Sequence, residues 1–148
     1  MKLAMPEPIH CTTCRVLYGD TDAAGVVYYA NYLRYFEIGR TEYMRDLLYS
    51  YRQLEEQGLI LPVVECGVRY RAPARYDDLL RIETSLAEIS SIRCRFNYRI
   101  LKSAETSAVP ILLAHGFTVL AAITRDGRLS RLPDDIVAGL AAAGQSSP

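Results

Sequence analysis

Residues Tyr18 to Tyr32 read Tyr-Gly-Asp-Thr-Asp-Ala-Ala-Gly-Val-Val-Tyr-Tyr-Ala-Asn-Tyr. The run joins the end of a strand, an acidic glycine-containing turn and the start of an aromatic-rich helix. A helix start offers backbone N–H groups with no intrahelical acceptor and the positive end of the helix dipole, and both stabilise an oxygen that is gaining negative charge. An ionised Asp held beside such donors has what is needed to cleave an activated acyl bond. The simpler alternative is that Asp20 and Asp22 only cap turn N–H groups, the commonest role of Asp in loops.

Other chemistry-bearing side chains point to structural work. Glu37 with Arg40, and Glu42 with Arg45, have the spacing of helix ion pairs. Asp77 and Asp78 fall in a turn between strands, where turn or ion-pair roles are expected. His10 and His115 are the only histidines; His115 lies in the most apolar strand, where a hydrogen-bonded core histidine is the expectation. Cys11, Cys14, Cys66 and Cys94 do not have zinc-site spacing, and residues three apart on a strand face opposite ways, so buried free thiols in a reducing compartment are expected.

The elements that must position the acidic turn follow from periodicity. Ile9 to Tyr18 reads as a strand. From about Ala30 to Leu48 apolar residues recur at three- and four-residue intervals, which predicts one long amphipathic helix. Gly39 inside it costs roughly 1 kcal/mol relative to Ala, which predicts close approach to another backbone. Tyr51 to Gln57 forms a short helix ended by Gly58. Strands are expected at Leu61 to Ala72, Leu79 to Glu88, Ile92 to Leu101 and Ile111 to Thr124, with a hairpin turn at Arg125-Asp126-Gly127-Arg128 and a terminal helix from Leu132-Pro133. In the third of these strands Arg93, Arg95, Asn97 and Arg99 alternate with apolar residues. Together with Arg69, Arg71 and Arg75 they make either a phosphate-binding face or a solvated sheet face with cross-strand pairs to residues such as Glu83.

The chain has 148 residues, half of them apolar, with 17 Lys plus Arg against 17 Asp plus Glu. One globular domain over residues 9–140 is expected, with flexible ends at 1–8 and 141–148. A net charge of zero gives no general attraction to nucleic acid. No apolar run has the length of a membrane span or the form of a secretory signal, so a cytoplasmic protein without membrane insertion is expected.

The chain resembles the hot-dog-fold acyl-CoA thioesterases of the 4-hydroxybenzoyl-CoA thioesterase family, closest to the bacterial branch associated with the Tol-Pal envelope system. The resemblance is carried by Asp20-Thr21-Asp22-Ala23 with Gly25-Val26-Val27-Tyr28, by Phe36-Glu37 and Arg40-Thr41-Glu42, by Tyr70 to Leu79, and by Leu132-Pro133. It implies an α+β fold in which a five- or six-stranded antiparallel sheet wraps a long central helix. It also implies homo-oligomers, dimers or tetramers, and hydrolysis of an acyl-CoA to a carboxylic acid and free coenzyme A with no metal or cofactor. By the same resemblance Asp22 is the nucleophile or general base, and the Tyr29 backbone N–H polarises the thioester carbonyl. Gly25, Val26, Val27, Tyr28 and Asn31 would line the substrate site. The Tol-Pal-associated branch often has His where this chain has Tyr29, whereas the benzoyl-thioester branch has Tyr. A non-catalytic thioester-binding or envelope-associated scaffold, and a thioesterase for acyl carrier protein, are the alternatives.

Overall fold

The computed structural model describes residues 3–47, 50–135 and 137–138. Strand β1 (His10–Arg15) leads into a single 3-10 turn (Tyr18–Asp20), the acidic loop, and helix α1 (Asn31–Leu47). Helix α2 (Tyr51–Glu56) follows, then strands β2 (Leu59–Ile60), β3 (Val63–Tyr70), β4 (Leu79–Ile89), β5 (Arg93–Lys102), β6 (Ile111–Ala121) and β7 (Ile123–Thr124). The main sheet is antiparallel and five-stranded, in the order β1-β4-β5-β6-β3, and β2 pairs with β7 in a separate ladder. The strand expected at Leu61 to Ala72 is β3, whereas the one expected at Ile111 to Thr124 divides into β6 and β7, because β7 turns away to pair with β2, a strand before Leu61 that was not expected. The terminal helix is present at residues 134, 135, 137 and 138; the expected flexible tail 141–148 and the last residue of the predicted long helix, Leu48, lie outside the described residues.

Helix α1 packs on one face of the sheet. Tyr35, Phe36 and Tyr43 on that face are fully buried, each worth about 1.5–3 kcal/mol of apolar transfer. Phe36 stacks on Tyr98 with ring centroids 4.4 Å apart, and Tyr43 meets Phe96 edge-on at 5.4 Å. Gly39 gives the close approach its position predicted, although to side chains rather than backbone: a Cβ there would meet Thr84 Oγ1 and lie 2.6 Å from Ile82 Cγ2. The lack of a side chain lets α1 settle onto β4, which brings the start of α1 over the end of β1.

Arg40 departs from the expected pairing with Glu37. It is buried and donates to the hydroxyls of Tyr51 (2.8 Å), Tyr98 (3.2 Å) and Thr118 (3.4 Å) instead. The reason is its place on the sheet-facing side of α1, where Glu37 is exposed. Arg45 and Glu42 do pair. The cysteines are all free, but Cys11 and Cys66 are exposed and only Cys94 is buried, since strands at the sheet edges leave their outward residues in solvent. His115 is buried on the sheet face away from α1, next to Arg71, rather than in the apolar core. Residues 3–8 run along that outer face, where Asn97 Nδ2 donates to the Ala4 carbonyl (2.8 Å) and the Ser85 hydroxyl donates to the Pro6 carbonyl.

Candidate active site

Asp20 and Asp22 take different roles. Asp20 is buried, and its carboxylate accepts from Arg34 Nη2 (2.5 Å), from the Tyr35 hydroxyl (3.0 Å) and from the Leu17 amide (3.0 Å). Arg34 and Tyr35 sit on the first turns of α1, so this one carboxylate ties the loop entry to the helix. Burial first, then the Asp20 carboxylate to which it donates, pushes the Tyr35 phenol far above its ordinary pKa. The Asp20 carbonyl completes the tie by accepting from the Tyr28 amide (2.9 Å) and from Asn31 Nδ2 (2.8 Å). Both sides of the loop are therefore held by a single residue.

Asp22 is exposed at the tip of a tight turn. The Gly25 amide donates to the Asp22 carbonyl (3.0 Å), and the Asp22 amide donates to the Val26 carbonyl (2.9 Å). Gly25 has φ +82°, with nothing within 4 Å of where a Cβ would stand, so glycine serves the left-handed backbone here rather than a steric need. The Asp22 Oδ1 accepts from the Ala24 amide (2.9 Å) and, at the limit of hydrogen bonding, from Val26 (3.5 Å). The capping role weighed from sequence is thus real for Oδ1. Oδ2 has no partner among the described residues and faces outward from a carboxylate whose other oxygen is fixed.

Beyond the turn, the backbone of Val27 donates to the Ala74 carbonyl (2.9 Å), and Thr21 bridges to Val27 and Val26 to Arg75. The Val27 side chain is in the core, so its part in the site is to anchor the chain rather than to touch a ligand. Tyr28 and Tyr29 are 44% and 63% exposed, with ring centroids 4.7 Å apart; they form an open aromatic platform beside the turn. The Tyr29 hydroxyl next to it, and more weakly the Asp22 charge, hold the Tyr28 phenol above its ordinary pKa. Regular α1 begins at Asn31, whose amide donates to the Tyr28 carbonyl (2.9 Å). The amides of Tyr29 and Ala30 have no acceptor among the described residues. They are the orphan donors that a helix start leaves for a ligand.

Asn31 spends its Nδ2 on the Asp20 carbonyl, so it shapes the loop. Tyr70, at the end of β3, was not singled out from sequence as a site residue; its hydroxyl donates to the Tyr29 carbonyl (2.8 Å) and its ring meets Tyr32 edge-on at 5.1 Å. The partners are 41 residues apart in the chain, and no local spacing reports such a contact. Asp78 accepts from the Arg75 amide (2.8 Å) and Lys102 (3.3 Å), which fits the turn and ion-pair role expected for it. Among the described residues no group of three or more His, Cys, Asp or Glu side chains is placed to hold a metal ion.

A family model described as the thioesterase-like superfamily matches residues 16–140. The acyl-CoA thioesterase YbgC of Haemophilus influenzae is 43% identical over 90 residues, which make up 60% of this chain and 66% of that protein. A hypothetical protein, TT1821, from Thermus thermophilus has a solved structure that superposes with a TM-score of 0.82 at 34% identity, covering 90% of this chain and 98% of that one. An Asp-to-Asn mutant of 4-hydroxybenzoyl CoA thioesterase, complexed with 4-hydroxybenzoyl CoA, superposes with a TM-score of 0.80 at 25% identity, covering 89% of this chain and 98% of that one.

Proposed function

Since the chain belongs to the thioesterase-like superfamily and has the hot-dog fold of its acyl-CoA thioesterases, we propose that Asp22 is the nucleophile or general base with which this thioester hydrolase releases a carboxylic acid and free coenzyme A. The observation that carries the reading is the pairing, on one short loop, of a half-committed carboxylate with orphan amides. Asp22 offers Oδ2 while Oδ1 is pinned, and the Tyr29 and Ala30 N–H groups stand unpaired at the head of α1.

A thioester needs little more. Its carbonyl gains little resonance from sulfur, so it is already electrophilic and no metal need polarise it. With the carbonyl oxygen on the Tyr29 N–H, negative charge building in the tetrahedral species falls where the helix dipole and the amide favour it. Asp22 Oδ2 either attacks the carbon, expelling the coenzyme A thiolate to leave a mixed anhydride that water then hydrolyses, or takes a proton from an attacking water. The Tyr28 and Tyr29 rings flank the acyl group. Gly25 and Val26 lie beside Asp22, where the left-handed Gly25 (φ +82°) closes the tight turn that presents the Asp22 carboxylate. Tyr70 fixes the Tyr29 peptide through its carbonyl and so sets the direction of the N–H that follows.

The test is release of thiol from a panel of short, long and aromatic acyl-CoAs and from acyl carrier protein thioesters, with Asp22→Asn as the comparison. Loss of the base or nucleophile is expected to lower kcat about 10²-fold or more with no change in the unfolding midpoint, because the Asn carbonyl still caps Ala24. Undiminished turnover by a folded variant rejects the assignment.

The same reading includes a homo-oligomer. Strand β3 is an edge of the main sheet, and Val63 and Val64 on it are 44% and 53% exposed. An apolar unpaired edge of that length favours strand addition, and β3 of a second copy would continue the sheet and set Tyr70 close to the junction. The mass in dilute solution by light scattering is expected to be that of a dimer or tetramer, and a monomer at micromolar concentration would refute it. Among the described residues no helix is long and apolar enough to cross a membrane.

A further inference from the structure

A cavity of about 430 Å³ opens between α1, α2 and the β2–β7 ladder, and no residue of the acidic loop lines it. Its polar part comes from two helix faces. Glu37, Arg40 and Thr41 stand three and four residues apart on α1, and Tyr51 and Glu55 stand four apart on α2, so each set projects from one side of its helix. Ile60, Leu61 and Ile123 supply an apolar wall. The volume falls in the range of small-molecule sites.

Arg40 is the cation of this cavity, and it lacks a counter-ion. It is 5% exposed, and a guanidinium taken out of water is costly unless a negative charge compensates it. Its Nε donates to Tyr51 and its Nη1 to Tyr98 and Thr118, all of them hydroxyls. Burial pushes the Tyr51 phenol up to about 12 and raises the Tyr98 phenol as well, so both are neutral. The Cys94 thiol, whose charge would also reach Arg40, is held at about 12 by burial and is neutral too. Among the described residues Arg40 forms no ion pair, and its Nη2 has no hydrogen-bond partner.

The acids of the same cavity are unpaired. Glu37 and Glu55 are exposed and make no ion pair among the described residues, whereas Glu42 and Glu56 on the same two helices are taken by Arg45 and Arg52. A simple anion would be drawn to Arg40 but repelled by both acids, and a simple cation would meet the reverse. A ligand that carries both signs, with its negative end inward and its positive end at the rim, is complementary to all three charges.

We propose that this cavity is a second ligand site, which takes a free α-amino acid with an apolar side chain. The carboxylate accepts from Arg40 Nη2, the ammonium donates to Glu37 and Glu55, and the side chain packs on Ile60, Leu61 and Ile123. Arg suits the inner position, since its planar fork recognises a carboxylate and keeps its charge when buried. The site shares no residue with the acidic loop, so it stands or falls independently of the thioester chemistry.

Calorimetric titration of the full chain with L-leucine tests the site, with leucinamide, which lacks the carboxylate, and isocaproate, which lacks the ammonium, as controls. Leucine should bind at least about tenfold more tightly than either, the loss expected for one charge-assisted hydrogen bond. The two analogues probe the Arg40 contact without altering a side chain on which three hydroxyls depend. Glu55→Gln, an exposed change, should weaken leucine about tenfold without weakening isocaproate and without moving the unfolding midpoint. No binding at millimolar leucine overturns the proposal, and so does binding of leucinamide or isocaproate as tight as that of leucine. A fall in the unfolding midpoint of ligand-free Glu37→Gln also counts against it, because Glu37 would then already neutralise Arg40.

Discussion

Replacing Asp20 by Ala should damage both the fold and the active loop, and the amount follows from its three donors. Asp20 is 7% exposed and accepts from Arg34, Tyr35 and the Leu17 amide. In Asp20→Ala the Arg34 side chain, 42% exposed, turns to water and contributes little. The Tyr35 hydroxyl has no such escape, because Tyr35 is fully buried, and the Leu17 amide is left partly buried. Two stranded donors at about 1–2 kcal/mol each give about 2–4 kcal/mol of lost stability. Tyr35→Phe alone leaves the carboxylate with two donors and should cost about 1–2 kcal/mol. In the double variant the stranded hydroxyl is gone, so the cost should fall short of the sum by about 1–2 kcal/mol. Urea unfolding followed by circular dichroism measures all three, and thiol release under native conditions reports the loop. There Asp20→Ala should lower kcat/KM, since the Asp20 carbonyl that holds Tyr28 and Asn31 loses its anchor, whereas Tyr35→Phe should lower it much less. Additive stabilities within about 0.3 kcal/mol would show that the Tyr35 hydrogen bond does not bear on the loop, and the clamp reasoning would fail.

Gly39→Ala sets two effects of opposite sign against one another: helix propensity favours Ala by about 1 kcal/mol, while the new methyl would lie 2.6 Å from Ile82 Cγ2 and against Thr84 Oγ1, overpacking that costs about 1–3 kcal/mol. Net destabilisation in the urea midpoint is expected, and a net gain would mean that α1 can lift from β4 freely. Stability should also fall in alkali. Burial raises the Cys94 thiol from its ordinary value of 9.0, and the Tyr43 and Tyr51 phenols from 10.0, to about 12 each. The unfolded chain therefore releases these protons first, so the stability they carry is fully present below about pH 9 and is lost as pH rises toward 12. The slope is at most about 1.4 kcal/mol per pH unit for each group. The unfolding midpoint from pH 8 to 11 should drop more gently in Cys94→Ala than in the parent chain, and identical slopes would contradict the burial argument.

What the sequence made legible is what depends on near neighbours in the chain. Helix α1, the Gly58 and Gly127 positions at φ +83° and +86°, and the alternation of β5 all follow from period and turn chemistry. The β2–β7 ladder was not legible. Pro62 marks the break between β2 and β3, but apolar residues run on from Leu120 to Ile123, and the pairing of β2 with β7 is a tertiary preference with no local mark. Arg40 failed for a related reason. Its spacing to Glu37 is correct for a surface pair, but the face it occupies is fixed by Gly39 and the packing onto β4, and burial then substitutes hydroxyls for a carboxylate.

The active loop shows where local reading gains and loses most. Asp22, Gly25 and the helix start lie within ten residues, so the chemistry proposed for them rests on one local motif. The parts that hold them lie far away: Arg34 and Tyr35 reach Asp20 across 14 and 15 residues, and Tyr70 reaches Tyr29 across 41. None of these partners carries a signature, because an Arg, two Tyr and an amide are ordinary residues until the fold brings them to one carboxylate or one carbonyl. The same logic separates the two acids. Asp20 and Asp22 are alike in type and spacing, and only the position of α1 makes the first a buried clamp with every oxygen accounted for and leaves the second with one oxygen free at the mouth of the site. A catalytic carboxylate needs that second condition, so the assignment to Asp22 depends on the tertiary tie at Asp20 as much as on Asp22 itself.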